Sequence, residues 1–208
     1  MTSSDRYPIP AARHRVAEEV RRSRFITTVG HAPTLDAARD FIASVRAEFA
    51  DASHNCWAYV VGPPGSTTQI GMSDDGEPHG TAGRPMLTVL LHAEIGEIVA
   101  VVTRYFGGTL LGTGGLVKAY SGGVQLALAT LPVVERVPRV TMELVVEYGA
   151  VTPLQRLLSD YEVQVLDQQY AADVTYRLKL PQEHADSFTA RVVELTNGQA
   201  LVDLLPVA

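Results

Sequence analysis

The chain has 208 residues, 46% of them hydrophobic and 19% charged, so it can bury one large core or two ordinary ones, and extensive disorder is excluded. No apolar run approaches the roughly 20 residues that span a bilayer, and no apolar block follows a basic start near the N-terminus. The single cysteine, Cys56, excludes an internal disulfide and fits a reducing compartment. We therefore expect a cytoplasmic protein that makes no membrane contact.

The net charge of −6 is unevenly distributed along the chain. Residues 1–137 contain 12 Lys and Arg against 13 Asp and Glu, whereas residues 138–208 contain 5 against 10. Because nucleic-acid binding usually needs many contacts from basic side chains to phosphates, the acidic second part is not expected to bind nucleic acid in general. Six arginines within residues 6–24 could form a local basic face, although a solvated strand face is the commoner outcome.

The first half of the chain alternates between strand and helix patterns. Ser23–Val29 is rich in β-branched and aromatic residues and predicts a strand, and residues 13–22 favour a partner strand. Thr34 can cap a helix whose apolar residues recur every 3.6 positions as far as Ala50. A buried strand, Asn55–Val61, a Gly-Pro-Pro-Gly turn and a strand at Thr67–Met72 then predict a hairpin.

The middle of the chain predicts two helices and a central strand. Pro85 suits the first turn of a helix that continues through the following apolar residues. Glu97–Tyr105 is apolar on both faces, which predicts a central strand of a sheet. A helix is expected from Gly114 to Leu131, and its Gly122 and Gly123 indicate a close approach to another backbone.

Residues 131–138 resemble a linker, and the pattern changes after them. The next elements are predicted in the order β-α-β-β-α-β, which is the ferredoxin-like arrangement: Val140–Glu147, Val151–Asp160, Val163–Asp167, Val174–Leu180, Glu183–Leu195 and Ala200–Leu205. We therefore predict an α+β chain with one domain at residues 1–134 and a second at residues 138–208.

Two glycine-rich stretches, Ser73–Arg84 and Thr103–Tyr120, stand out from the rest of the sequence. Residues 71–83 hold four of the 17 glycines, and residues 107–123 hold seven. Glycine costs about 0.5–1 kcal/mol relative to alanine inside regular structure, so this density requires a turn, a close backbone approach or a ligand. Charged and hydroxyl residues lie between these glycines, and we expect the functional site there.

The second stretch could form an anion-binding cradle, because it follows a strand and opens a helix. Arg104 and Lys118 could supply positive charge. The spacing matches neither the P-loop nor the dinucleotide-binding motif, so a glycine loop that serves only packing is an equal alternative. The Tyr105-Phe106 pair could offer a stacking face to a base, although filling the core and covering the loop is the commoner role.

Metal binding and nucleophilic catalysis are less well supported by the residues. Four potential metal ligands lie within six residues, but without the spacing of a known site: Asp74, Asp75, Glu77 and His79. Cys56 lies in an apparently buried strand, where a thiol is usually inert. His54 could pair with an acid of the nearby loop, but a structural hydrogen bond is favoured. We predict no metal and no cofactor.

Several motifs together resemble the YigZ/IMPACT family (UPF0029), over essentially the whole chain. They are SRFI at Ser23–Ile26, H-x-C at His54 and Cys56, SDDGEP-x-GTAG-x-PML at Ser73–Leu87 and VTRYFGG-x-LLG-x-GGLVKAY at Val102–Tyr120. The resemblance implies an N-terminal domain like the second domain of ribosomal protein S5, with a left-handed βαβ element. It also implies a DUF1949-type, ferredoxin-like C-terminal domain similar to the last domain of elongation factor G.

The resemblance implies a function linked to translation. Eukaryotic relatives regulate translation by binding the activator of a kinase that acts on an initiation factor, partly through an additional domain that we do not expect in this chain, so this partner is not carried over. For bacterial relatives, nucleic-acid or ribosome association is inferred from fold neighbours. We expect a non-enzymatic cytoplasmic protein that binds RNA, the ribosome or a translation-associated protein.

The expected binding surface is glycine-rich and is carried over from the motif positions, with Thr113 added from the anion cradle. Its residues are Asp74, Asp75, Glu77, Thr81, Arg84, Arg104, Phe106, Gly107, Gly108, Gly112, Thr113, Gly114, Gly115 and Lys118. One alternative is a Mg²⁺-dependent enzyme that acts on a phosphorylated or nucleotide substrate and holds the metal with the SDDGE carboxylates. Another is a protein-interaction module whose glycines serve only packing.

Overall fold

Residues 6–205 are described by the computed structural model of this chain. They form helices and antiparallel sheets, so the predicted α+β class is confirmed. The chain divides into an N-terminal unit of residues 7–136 and a C-terminal unit of residues 137–205 together with Arg6. Within this described range, no helix is long and apolar enough to cross a membrane.

The N-terminal unit is built on a five-stranded antiparallel sheet with the strand order β2-β3-β6-β4-β5. The strands of this unit are β1 (Tyr7–Pro10), β2 (His14–Val20), β3 (Ser23–His31), β4 (His54–Val61), β5 (Gln69–Ser73), β6 (Ile98–Tyr105) and β7 (Val133–Arg136). Strand β6 is central and buried along nearly its whole length, as its continuous apolar run predicts. The predicted hairpin of β4 and β5 is also confirmed.

Three helices cover the two faces of this sheet: α1 (Leu35–Glu48), α2 (Gly83–His92) and α3 (Thr113–Thr130). Helix α1 begins as predicted, because the Thr34 hydroxyl accepts a hydrogen bond from the Ala37 amide (3.1 Å). Alternate residues of β4 point to opposite faces of the sheet and so belong to two different cores. Ala58 packs in the core formed with α2 and α3, and Tyr59 packs against the core formed with α1.

The expected linker at residues 131–138 is only partly correct, because it contains strand β7. This strand pairs antiparallel with β1, placing Tyr7 opposite Arg136. Each of the two strands has four residues, and they lie far apart in sequence, so no local sequence pattern predicts that they pair. Prolines in β1 are tolerated because they stand in a short two-stranded ribbon rather than in a central strand.

The close approach predicted for the glycine pair in α3 occurs at only one of the two positions. A Cβ on Gly123 would lie 2.6 Å from the Thr27 hydroxyl oxygen of β3, whereas a Cβ on Gly122 would meet open space. The neighbour is therefore a side chain rather than the expected backbone. Gly123 allows α3 to lie close against the sheet.

The C-terminal unit contains a four-stranded antiparallel sheet with the order β11-β8-β10-β9. Its elements follow the predicted sequence of strands and helices: β8 (Arg139–Val146), α4 (Val151–Asp160), β9 (Gln164–Tyr170), β10 (Val174–Pro181), α5 (Ala185–Leu195) and β11 (Leu201–Leu205). One sheet face packs on the helices through Leu144, Leu154 and Phe188. The other face carries a cross-strand row of charged residues: Asp203, Glu143, Arg177 and Asp167.

Glu97 connects the β1–β7 ribbon to the end of the five-stranded sheet. Its carboxylate accepts a hydrogen bond from the Tyr7 hydroxyl (2.9 Å), forms an ion pair with Arg136 Nε (2.5 Å) and lies 2.7 Å from His31 Nε2. Burial alone would raise the pKa of Glu97, but these hydrogen bonds and the Arg136 charge outweigh burial, and the pKa lies below its ordinary value of 4.5. The ionised carboxylate therefore stabilises this corner.

Replacing Glu97 with Gln should lower the free energy of unfolding by about 1–2 kcal/mol at neutral pH, because charge-assisted hydrogen bonds are lost. A carboxylate with a lowered folded pKa stabilises the protein above its unfolded pKa and loses this effect as the pH falls through the folded value. The difference between Glu97→Gln and the natural chain should therefore narrow in acid. Urea unfolding at neutral pH and below pH about 4 measures this difference in the free energy of unfolding. The variant Glu94→Gln, at an exposed position, is the control. A difference that is constant across pH would contradict this role.

Candidate functional site

The SDDGE loop is organised around Asp74. Its carboxylate accepts hydrogen bonds from the backbone amides of Gly80 (2.8 Å), Ala82 (3.0 Å) and Gly83 (2.8 Å). Burial alone would raise the pKa of Asp74, but these three donors outweigh burial and lower it. Because the residue at the N-cap of α2 is alanine and makes no side-chain cap, Asp74 takes over this role from outside the helix.

Asp75 and Thr81 are held by other partners. The Asp75 carboxylate accepts hydrogen bonds from Arg46 Nη2 (2.7 Å) and from the backbone amide of Asn55 (2.7 Å). The Thr81 hydroxyl donates to the Pro78 carbonyl oxygen (2.6 Å) and so closes the loop. Throughout residues 6–205, no group of three or more His, Cys, Asp and Glu side chains is arranged to hold a metal ion.

A buried ion pair joins the two glycine-rich stretches. Arg104 Nη1 of β6 donates to Glu77 Oε1 of the loop (2.6 Å), and the Tyr120 hydroxyl of α3 donates to the same oxygen (2.7 Å). Arg104 Nη2 also donates to the Ser23 hydroxyl oxygen (3.3 Å). The positive charge of Arg104, which the sequence suggested could serve an anion, is matched by Glu77.

Cys56 is inert in this environment, as predicted from its strand. The thiol is fully buried and donates to the Asp74 carbonyl oxygen (2.9 Å). Burial raises the pKa of Cys56 to about 12, so the thiol stays protonated at neutral pH and is a poor nucleophile. Its neighbour Tyr120 also has a raised pKa, chiefly because of burial, and remains a neutral hydrogen-bond donor.

The glycines between β6 and α3 serve two different purposes. A Cβ on Gly107 would lie 2.0 Å from the Arg22 carbonyl oxygen, and the Gly107 amide donates to the Ser23 hydroxyl oxygen (3.2 Å). A side chain at this position would therefore collide with the backbone. Gly108 and Gly112 have open space around them but adopt φ angles of +79° and +73°, which favour glycine.

Helix α3 presents a free N-terminal turn. Its N-cap residue is Gly112, so no side chain caps the helix. The first intrahelical bond runs from the Leu116 amide to the Gly112 carbonyl oxygen (3.0 Å), which leaves the amides of residues 113–115 without an acceptor inside the helix. Uncapped amides at a helix N-terminus favour an anion in general, and anion binding at Gly114 and Gly115 stays a prediction.

A pocket of about 460 Å³, which we call the α3 pocket, lies beside this helix terminus. Its lining combines the buried ion pair with apolar side chains and consists of His54, Gly76, Glu77, Pro78, Arg104, Phe106, Leu110, Leu111, Gly112, Thr113 and Leu116. Phe106 and Leu110 are 49% and 82% exposed. The Phe106 ring centre lies 5.5 Å from the Arg104 guanidinium carbon. The pocket therefore offers a half-exposed aromatic ring next to paired donor and acceptor groups.

Five of the predicted site residues line the α3 pocket: Glu77, Arg104, Phe106, Gly112 and Thr113. Asp74, Asp75 and Thr81 shape the loop, while the exposed Arg84 and Lys118 lie outside the pocket lining. The apolar wall of the pocket and His54 were not among the predicted site residues. The apolar wall could have been predicted from Leu110 and Leu111, because two adjacent large apolar residues are unusual inside a glycine-rich surface loop.

Comparison with known proteins identifies the family of this chain. The Impact N-terminal domain matches residues 21–128, and a domain of unknown function, DUF1949, matches residues 144–199. The chain belongs to the IMPACT family, as its motifs predict.

Relatives match nearly the full length of the chain. The IMPACT family member YigZ of Escherichia coli is 46% identical over 190 residues, covering 91% of this chain and 93% of that protein. A family member of Haemophilus influenzae is 41% identical, covering 97% and 98%. A solved crystal structure of a hypothetical protein is 44% identical, covers 98% of both chains and has a TM-score of 0.69.

Gly107→Ala should destabilise the protein by about 3 kcal/mol, because the added methyl group collides with backbone that cannot move without disturbing the sheet. Gly114→Ala is the matched control, since its Cβ meets nothing within 4 Å. Alanine is the better helix former by up to about 1 kcal/mol, so this variant should be neutral or slightly more stable. Urea unfolding compares the two variants, and equal midpoints would contradict the packing role of Gly107.

Proposed function

We propose that this protein acts in translation or its regulation as a non-enzymatic RNA-binding protein, and that the α3 pocket takes one unpaired nucleotide. Membership of the IMPACT family supports the link to translation. The single observation that carries RNA binding is the half-exposed Phe106 ring in a pocket that opens beside the N-terminus of α3. An aromatic ring next to a helix terminus provides the two contacts that a nucleotide needs, one for the base and one for the phosphate.

The base is the part of a nucleotide that suits the interior of the pocket. Leu111, Leu116 and Phe106 offer apolar and aromatic surface, on which any nucleobase can stack. The Arg104–Glu77 pair offers a donor and an acceptor group without net charge, which matches the edge of a neutral heterocycle better than a free phosphate. The pocket volume of about 460 Å³ is in the range of small-molecule sites.

The phosphate is proposed to bind at the free amides of α3. Gly112 and Thr113 belong both to the pocket lining and to the start of this helix, so a base inside the pocket would place its phosphate near these amides. The base must be unpaired to enter, so we expect single-stranded RNA rather than duplex. Because the protein has a net charge of −6 and the site contacts few phosphates, salt should weaken binding only modestly.

We also propose that residues 138–208 form a ferredoxin-like domain, which the strand order β11-β8-β10-β9 with two helices on one face supports. We propose an S5 domain 2-like domain at residues 1–134, and cytoplasmic localisation. Residues 1–5 and 206–208 of these domains lie outside the described range. The cross-strand row of charged residues, three of which are acidic and one basic, suits a spacer or a protein contact rather than RNA.

The Mg²⁺-dependent enzyme finds less support from the positions of the carboxylates. A divalent cation needs several oxygen ligands that converge on one point. Asp74 is bound to three backbone amides, and Asp75 to Arg46 and Asn55, so the two carboxylates have different partners. Glu77 is buried against Arg104 and Tyr120.

Phe106→Ala should weaken the binding of a single-stranded RNA about 5- to 150-fold, which corresponds to the loss of one base–aromatic stack. Fluorescence anisotropy with a labelled decamer of mixed sequence measures this at fixed salt. Tyr148→Ala is the matched control, because Tyr148 is also exposed (53%) but lies in the C-terminal unit. Urea unfolding should show both variants to be folded.

The proposal fails if the natural chain does not bind the single-stranded decamer, or if Phe106→Ala and Tyr148→Ala bind it equally well. Tight binding of duplex RNA in place of single strands would also contradict the nucleotide pocket. Co-sedimentation with ribosomes tests the link to translation separately. We expect the natural chain to sediment with ribosomes and Phe106→Ala to sediment less.

A further inference from the structure

We propose that the β5 edge of the N-terminal sheet binds an extended acidic peptide segment of a partner protein, which adds to the sheet as a sixth strand. This site uses different residues from the α3 pocket. Its parts are an open strand edge, a neighbouring groove between α1 and β4, and two arginines that line this groove.

Strand β5 leaves one edge of the sheet open. Among residues 6–205, β5 pairs only with β4, so the backbone groups on its other side are not used by the sheet. Sheet edges in natural proteins are usually protected by charged residues, proline or a bulge. The sequence of β5, Gln-Ile-Gly-Met-Ser, contains neither charge nor proline. An unprotected edge of this kind is suited to strand addition.

The two faces of β5 differ in character. Ile70 and Met72 lie opposite Val60 and Ala58, on the face that packs against α2, and they remain 36% and 42% exposed. A strand added beside β5 would place every second side chain next to these two residues. On this face the partner segment should therefore carry apolar side chains.

A groove of about 470 Å³, which we call the β5 groove, lies between α1 and β4 on the sheet face opposite to Ile70 and Met72. Its lining consists of Arg39, Ile42, Ala43, Arg46, Trp57 and Tyr59. The rings of Trp57 and Tyr59 are stacked, with centres 5.7 Å apart. Gly71 lies beneath the Tyr59 ring, where a Cβ would be 2.5 Å from the ring. Glycine at this position therefore leaves room for the Tyr59 ring, which extends from the groove lining over β5.

The charge of the β5 groove selects an acidic occupant. Arg39 and Arg46 are seven residues apart on α1 and so lie on the same side of the helix. Each guanidinium makes one ion pair, with Asp36 and Asp75 respectively, and their side chains are 68% and 50% exposed. Because a guanidinium has five donor hydrogens, each can bind a further carboxylate. No acidic residue contributes to the lining.

These features together define the partner segment. Its backbone bonds to β5 and supplies sequence-independent affinity. Its alternate side chains point to opposite faces, so acidic residues reach Arg39 and Arg46 while the residues between them contact Ile70 and Met72. The matching segment therefore alternates between acidic and apolar residues over about five to seven positions.

The test uses the whole chain and a fluorescein-labelled peptide of about seven residues in which glutamate and valine alternate. A peptide with lysine in place of glutamate is its matched control. We expect the glutamate peptide to bind at least about tenfold more tightly, since each 1.4 kcal/mol of charge preference gives a factor of ten. Backbone amide NMR shifts should change at residues 69–73 and along α1.

Arg39→Glu should weaken the binding of the glutamate peptide at least about tenfold and should strengthen the binding of the lysine peptide. Arg156→Glu, an exposed charge reversal on α4, should leave both peptides unaffected. Met72→Lys should weaken the binding of both peptides, because it places a charged side chain on the sheet edge that both peptides use. Binding of single-stranded RNA should be unaffected by Arg39→Glu, so the two proposals can fail separately.

Three outcomes would overturn the proposal. The first is that the glutamate peptide does not bind at about 1 mM, the weak end of useful affinity. The second is that its amide shift changes map to the α3 pocket instead of residues 69–73. The third is a dimer in sedimentation that Met72→Lys dissociates, because a second copy of the chain would then occupy the edge.

Discussion

The buried ion pair between Arg104 and Glu77 is the contact on which the rest of the site depends. It joins the central strand β6 to the SDDGE loop. Hydrogen bonds from the pair to Tyr120 and Ser23 also connect α3 and β3 to it. Removing two charges from water is costly unless hydrogen bonds satisfy both groups, and breaking such a pair on one side costs about 3–5 kcal/mol. The acidic loop and the glycine-rich stretch after β6 must therefore be correctly placed together. This explains why the two stretches act as one site although they are separated in sequence.

The glycines around this ion pair are explained mainly by the geometry of the chain. Gly107 allows the chain leaving β6 to pass against the backbone at Arg22, and Gly112 allows the turn into α3 through a positive φ. Neither requirement involves a ligand. The same choice of residue leaves the first amides of α3 uncapped, because glycine has no side chain that could bind them. The pocket and the free helix terminus are therefore consequences of how the fold makes this turn.

Sequence patterns predicted the elements that depend on local periodicity. Strand β6 was recognised because it is apolar on both faces, and α1 because Thr34 begins a regular apolar stripe. Strand β7 was missed because its partner β1 lies at the other end of the unit, and a four-residue strand has no periodicity of its own. For the site, the residue types were predicted but their pairing was not. Arg104 was expected to attract an anion, whereas it is matched by Glu77, 27 positions earlier in the chain.

Asp75 connects the two proposed binding surfaces. Its carboxylate binds Arg46, which lines the β5 groove, while its carbonyl oxygen lies 2.9 Å from Nδ1 of His54, which lines the α3 pocket. The residue adopts a positive φ of 42°, so its conformation is maintained by these contacts and by the Asn55 amide rather than by local preference. A carboxylate of the partner segment would bind the Arg46 donors that Asp75 does not use, so that both carboxylates share one guanidinium. The two proposed surfaces therefore meet at Asp75, which contacts one lining residue of each.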